Sequence, residues 1–66
     1  MDNRVKELRT AAGMRQEDLA RRVAVSRQTI ISIESGRYNA SLELAWRLSQ
    51  VLGVPIEDLF SFKEDD

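Results

Sequence analysis

The chain has 66 residues, with ten Lys and Arg against eleven Asp and Glu for a net charge of −1, and no histidine or cysteine. A chain of that length holds one domain near the lower limit of what a single core supports. The missing residues exclude disulfides, zinc on thiol or imidazole ligands, a Ser-His-Asp triad, a cysteine nucleophile and an HExxH site.

Other classes fall away as quickly. Three glycines spaced about 20 residues apart, Gly13, Gly36 and Gly53, cannot form a phosphate-cradling loop. No apolar run exceeds four residues, far short of the roughly 18 a membrane span needs. The start, Met1-Asp2-Asn3-Arg4, lacks the apolar stretch of a signal peptide. A cytoplasmic protein without metal, cofactor or membrane partner is expected. The near-zero charge hides a split. Residues 1–38 carry eight basic and five acidic side chains, and residues 39–66 carry two basic and six acidic ones. Most of the cations are arginine, which reads phosphates and bases better than lysine does.

The periodicity predicts an all-α chain of five short helices. Val5, Leu8 and Ala12 fall at helical spacing, and Gly13 closes that segment in the left-handed conformation. Helix two is expected from Arg15 or Gln16 to Val23, with Leu19, Ala20 and Val23 as its apolar face. Ser26 then suits an N-cap, which starts helix three at Arg27, and Gly36 ends it. Ser41 is a second cap, with Glu43 placed favourably in the first turn of a helix from Leu42 to Leu52. Leu44, Ala45, Leu48, Val51 and Leu52 form a strong amphipathic stripe there, with Trp46 beside it and partly packed on the core. Gly53 stops that helix, and Pro55 opens a short fifth one over about Ile56 to Phe60. The domain is expected to span about residues 3–60, with residues 63–66 a charged tail.

The informative stretch runs from Gln16 to Glu34. It reads as helix, three-residue turn, helix. Small Ala20 lets the second helix cross close to the first, Val25 fills the corner, and Ile30 and Ile33 anchor the second helix to the core. Arg27, Gln28, Ile31 and Ser32 lie off that stripe at about 100° per residue. Arginine matches guanine O6 and N7, glutamine matches adenine N6 and N7, and an apolar side chain suits the thymine methyl group.

On these residues the chain resembles the Cro/CI-type helix-turn-helix family, also called the XRE family, of phage repressors and small bacterial regulators. The matching pieces are Leu8-Arg9 before Gly13, Gln16 to Ala20, Val25 to Ile30, Ile33 to Arg37, Ser41 to Ala45, Leu52-Gly53-Val54 and Leu59-Phe60. They cover nearly the whole chain in fixed order and spacing. The resemblance implies a compact five-helix, lambda-repressor-like domain whose third helix enters the major groove of double-stranded DNA. It implies that Arg27, Gln28 and Ser32 read bases, with Ile31 beside them. Gln16, Thr29, Arg37, Tyr38 and Asn39 fall at phosphate-contacting positions, and Arg9 and Glu34 at those of a structural ion pair. Three positions depart from the pattern. Ala24 replaces the usual turn glycine, at a cost on the order of 1 kcal/mol if its φ is positive. Arg15 replaces the usual Ser or Thr cap and contacts phosphate instead. Ala40 replaces the usual proline before Ser41.

The function expected is a minimal transcriptional regulator. It would be a repressor that binds a pseudo-palindromic operator as a homodimer, with half-sites about 34 Å apart. The segment Leu59-Phe60-Ser61-Phe62 has more apolar surface than a short helix can bury. It either closes the core or joins two copies, and the second is the expectation for Leu59, Phe60 and Phe62. Two other readings stand beside this one. An antitoxin would bind both DNA and a toxin. A helical protein-interaction module would bind no DNA, but the polar face of helix three argues against it.

Overall fold

The structure is a computed structural model, described for residues 2–60. Its helices are α1 (Val5–Ala11), α2 (Gln16–Arg22), α3 (Arg27–Glu34), α4 (Leu42–Leu52) and α5 (Ile56–Leu59). No strand occurs among the described residues. One isolated antiparallel bridge joins Asn3 to Phe60.

Local chemistry sets the helix ends. Ser26 Oγ accepts from the Thr29 backbone N–H at 3.2 Å, and Ser41 Oγ accepts from that of Leu44 at 3.2 Å. Each satisfies one of the donors a helix start leaves open. Gly53 closes α4 at φ 75°, a left-handed conformation that glycine adopts without steric cost. At the start of α1 the capping group is one the sequence reading did not single out. Asn3 Oδ1 accepts from the Val5 N–H at 3.1 Å, while Asn3 Nδ2 donates to the Ile33 carbonyl at 2.8 Å. One amide thus starts α1 and fastens it to the end of α3.

The core lies where the five helices meet. Val5, Leu19, Val23, Ile30, Ile33, Leu48 and Leu59 are all fully buried. Ala20, at 3% exposure, is the small residue at the α2–α3 crossing, where the two helices pack extensively against each other. Val25, half-buried, packs against this core from the turn.

The turn between α2 and α3 contains Ala24 at φ 61°, the one positive-φ residue other than glycine among those described. A Cβ in this conformation crowds the following carbonyl, which costs roughly 1 kcal/mol. Ala24 is exposed, so its methyl group gains little from packing in return. Ala24→Gly should therefore raise stability by up to about 0.5 kcal/mol, because glycine's extra unfolded-state entropy offsets much of the relieved strain. Urea unfolding followed by helical circular dichroism checks this, and a lower midpoint in the glycine variant would refute it.

Two expectations need correction. Leu59 is fully buried and Phe60 is 4% exposed, both within the chain's own core. The Arg4 N–H donates to the Leu59 carbonyl at 2.8 Å and, with the Asn3–Phe60 bridge, folds this end back against the start of α1. Side chains packed this way close the core and offer no surface to a second copy. Phe62, the third residue expected at that contact, lies outside the described residues. Trp46 also departs from expectation. It points outward at 55% exposure, because the stripe around Leu44 and Leu48 already fills the buried side of α4.

Candidate nucleic-acid interface

α3 is an amphipathic helix with one side committed to the core. Ile30 and Ile33 are fully buried, and they fix the helix in rotation. Arg27 and Gln28, in its first turn, consequently face solvent. Neither makes a side-chain hydrogen bond or ion pair with another described residue. Ile31 and Ser32, one turn on, are half-buried at the edge of this face. Gln28 and Ser32 share a shallow hollow with Ser26, Thr29 and Tyr38. The four expected base readers thus occupy the side of α3 turned away from Ile30 and Ile33.

Thr29 sits differently. Its hydroxyl lies 3.0 Å from Ser26 Oγ, so it already has a partner at the helix start. A hydroxyl both donates and accepts, so this bond leaves capacity for a second partner.

Around the first turn of α2 a second group of residues converges. Arg15, Gln16, Glu17, Arg9 and Arg27 line one hollow between the starts of α2 and α3. Arg15 and Arg27 are exposed there, and Gln16 is half-buried. Two arginines and an amide facing one hollow make a surface suited to an anion.

Beneath that hollow lies the most buried polar cluster. Arg9 Nε donates to Glu34 Oε2 at 2.6 Å, and Arg9 Nη2 to Glu34 Oε1 at 3.3 Å. Arg9 Nη1 donates to the Met14 carbonyl at 2.8 Å. Only 9% of the Arg9 side chain and 5% of the Glu34 side chain is exposed. The pair joins α1, the turn before α2, and the last residue of α3. Gln16 belongs to the same cluster, because its Nε2 donates to Glu34 Oε1 at 3.1 Å. Sequence spacing did not connect Gln16 with Glu34. Its side chain is tied to the ion pair and enters the hollow already oriented.

Arg15 precedes α2 and has only donors to offer, so it cannot cap the helix by accepting a bond. The start of α2 is held from the other direction. Asp18 Oδ2 accepts from the Arg15 backbone N–H at 2.9 Å, which is one half of a capping box. That hydrogen bond is the main reason the Asp18 carboxyl titrates below its ordinary value, with the nearby charges of Arg15 and Arg21 adding to it. A lowered carboxyl pKa adds stability above the unfolded value of about 3.9 and loses it as pH falls through the folded value. The start of α2 should therefore loosen only in acid. An NMR titration of Asp18 with a midpoint at or above about 3.9 would contradict this assignment.

The third part of the face is the loop after α3. The N–H groups of Arg37 and Tyr38 both donate to the Ser32 carbonyl, at 3.2 and 3.3 Å. The loop is thereby folded back on the end of α3. Gly36, at φ 81°, permits the reversal. Arg37, Tyr38 and Asn39 are all exposed on it. Among the described residues no group of acidic side chains is arranged to hold a metal ion, and no helix is long and apolar enough to cross a membrane.

Comparison with known proteins identifies the family and the fold. A helix-turn-helix family model matches residues 5–59. Over the full length of both chains, the sequence is 47% identical to an HTH-type transcriptional regulator of Methanocaldococcus jannaschii. The structure is similar to the restriction-modification controller protein C.AhdI from Aeromonas hydrophila, with a TM-score of 0.79, 37% identity and 86% of each chain covered. It is also similar to a chain in the SinR–SinI protein complex, with a TM-score of 0.81 and 29% identity, covering 92% of this chain and 60% of that one. The α2–turn–α3 unit, the surrounding helices and these likenesses lead to one conclusion: the chain belongs to the Cro/CI-type, or XRE, helix-turn-helix family of DNA-binding transcriptional regulators, which are not enzymes.

Proposed function

We propose that this protein is a sequence-specific repressor that binds a pseudo-palindromic operator as a homodimer in the cytoplasm. Residues 3–60 are its folding unit, and the charged residues 63–66 lie outside the described residues. The observation that carries this reading is the first turn of α3. Arg27 and Gln28 are exposed there, on a helix whose rotation is fixed by two fully buried isoleucines. The helix is already held in place, so binding has to order only the side chains that meet base edges, which limits its entropic cost.

The residues divide by task. Arg27, Gln28 and Ser32 read base edges, and Ile31 packs on a thymine methyl group. Arg15, Gln16, Thr29, Arg37, Tyr38 and Asn39 meet the phosphate backbone on either side, setting register without reading sequence. A dimer brings two such helices to successive major-groove faces about 34 Å apart. Occupancy of a promoter by the dimer excludes polymerase and so represses transcription.

Arg27→Ala tests the assignment of bases. It should cost about 1–3 kcal/mol of binding and relax preference at one base pair of each half-site. Arg37→Ala should instead weaken binding about equally on all sequences. Competition binding against a library of single-base operator variants separates these outcomes. An Arg27→Ala protein with unchanged sequence preference would remove Arg27 from the list of base readers.

A further inference from the structure

We infer that Glu17 raises the sequence selectivity of this protein by competing with DNA phosphates for Arg27. This rests on the operator binding proposed above and adds a specificity-determining residue to it. Arg9, Arg15 and Arg27 all line the hollow between the starts of α2 and α3. Two of them already have a carboxylate. Arg9 is paired with Glu34 at 2.6 Å, and Arg15 lies 3.6 Å from Asp18. Arg27 has no such partner among the described residues. The carboxylate that lines the hollow itself is Glu17, in the first turn of α2, and it pairs with no described cation. One cation and one carboxylate are thus left over in the same hollow, and both are exposed. They attract each other without being locked together, so Arg27 stays available to a better partner.

Arg27 has two uses on DNA. On the operator it meets a guanine, whose O6 and N7 take two of its donors at once. On any other sequence binding is almost wholly electrostatic, and a free guanidinium turns to the nearest phosphate. Glu17 opposes the second use in two ways. It repels a phosphate that enters the hollow, and it draws Arg27 back. The repulsion is common to both kinds of DNA and cancels in their ratio. The competition for Arg27 does not cancel, because a guanine takes that side chain into the groove and away from the hollow. Glu17 therefore weakens binding to unrelated DNA more than binding to the operator. Selectivity is that difference of affinities, and a charge set against the wrong partner widens it. An exposed pair is a modest interaction, so two copies should give an effect of about three- to tenfold.

Two duplexes supply the test: the sequence that the wild-type protein enriches from random DNA, and the same bases scrambled. Glu17→Gln keeps the size of an exposed side chain, so the helical circular dichroism should not change. Its affinity for the scrambled duplex should rise at least threefold more than its affinity for the enriched one. Its salt slope should also steepen more on the scrambled duplex, by up to about one unit per copy, as Arg27 turns to phosphate. In an Arg27→Ala background, Glu17→Gln should raise both affinities by the same factor.

An equal rise on both duplexes with Arg27 present overturns the proposal, because Glu17 then only repels phosphate. Unchanged affinities overturn it too, as does a loss of selectivity that persists without the Arg27 side chain. A wild-type protein that binds both duplexes equally removes the operator reading itself, and this proposal with it.

Discussion

Glu34→Ala should cost the fold about 3–5 kcal/mol. Glu34 is the hub of the buried polar cluster, taking both Arg9 bonds and the Gln16 amide. Its removal leaves the Arg9 guanidinium more than 90% buried without a counter-charge. An uncompensated buried charge is far more costly than the net worth of the pair that held it. A domain this small has about 3–5 kcal/mol in total from its core, so the loss is comparable with its whole stability. The variant should be largely unfolded in dilute buffer at room temperature. Removing both partners, as Arg9→Met with Glu34→Leu, should cost less than Glu34→Ala alone. Urea titration followed by helical circular dichroism measures both. A Glu34→Ala protein with a wild-type midpoint would show that the cluster carries little of the fold. The double variant should also weaken DNA binding, because Gln16 loses the partner that orients it.

Operator affinity should fall at least a hundredfold between about 50 and 200 mM salt. Each cation that neutralises a phosphate releases counterions, and log affinity falls by about 0.9 per contact per decade of salt. Arg15 and Arg37 are the exposed arginines assigned to phosphates, and a dimer doubles them. Four such contacts over a fourfold salt change already give a loss on the order of 10². The acidic carboxyl-terminal half does not cancel this effect, because only charges near the backbone displace counterions. Fluorescence anisotropy with a labelled operator across that range supplies the slope. The slope should become shallower by about one unit for each Arg37→Ala substitution in the bound dimer. A flat dependence would contradict phosphate contact altogether.

Much of the fold was legible in the sequence because its signals are local. Ser26 and Ser41 announce helix starts through short-range bonds. Gly13, Gly36 and Gly53 take the positive φ that ends or reverses a segment. The apolar spacing of α4 marks its buried stripe. The strain at Ala24 was also foreseeable from the family resemblance, which puts a glycine at that point of the turn. What escaped sequence reading depends on contacts between distant parts of the chain. Asn3 looks like any polar residue near an amino terminus, and its bond to Ile33 is visible only once α1 and α3 meet. An Asn two residues before an apolar helix face is the signal that would have suggested its capping half.

The carboxyl end shows the same limit with a larger consequence. A run of apolar residues signals burial but not what buries it. Leu59 and Phe60 were expected at a contact between copies, yet the Arg4–Leu59 bond and the Asn3–Phe60 bridge turn them into the chain's own core. The reverse holds for Trp46, where a large ring beside a buried stripe suggested packing. Leu44, Ala45, Leu48 and Ser49 already occupy the buried side of α4, and the ring is left facing solvent. The expected site residues on α3 share one physical reason for being readable. Helical geometry puts Gln28 opposite Ile30 and Ile33 once those two are known to be core, and Arg27 on the flank of that stripe in the open first turn. The loop residues Arg37, Tyr38 and Asn39 carry no such periodicity, and their exposure follows from the fold around Gly36.

Selection of binding sites from random double-stranded DNA by the purified protein tests sequence-specific operator recognition most directly. Enrichment of an inverted repeat with half-site centres one helical turn apart, about 10 base pairs, is the result expected of two α3 helices in a symmetric dimer. A selected pool with no shared sequence, or one retained equally by a protein lacking the Arg27 and Gln28 side chains, would contradict it.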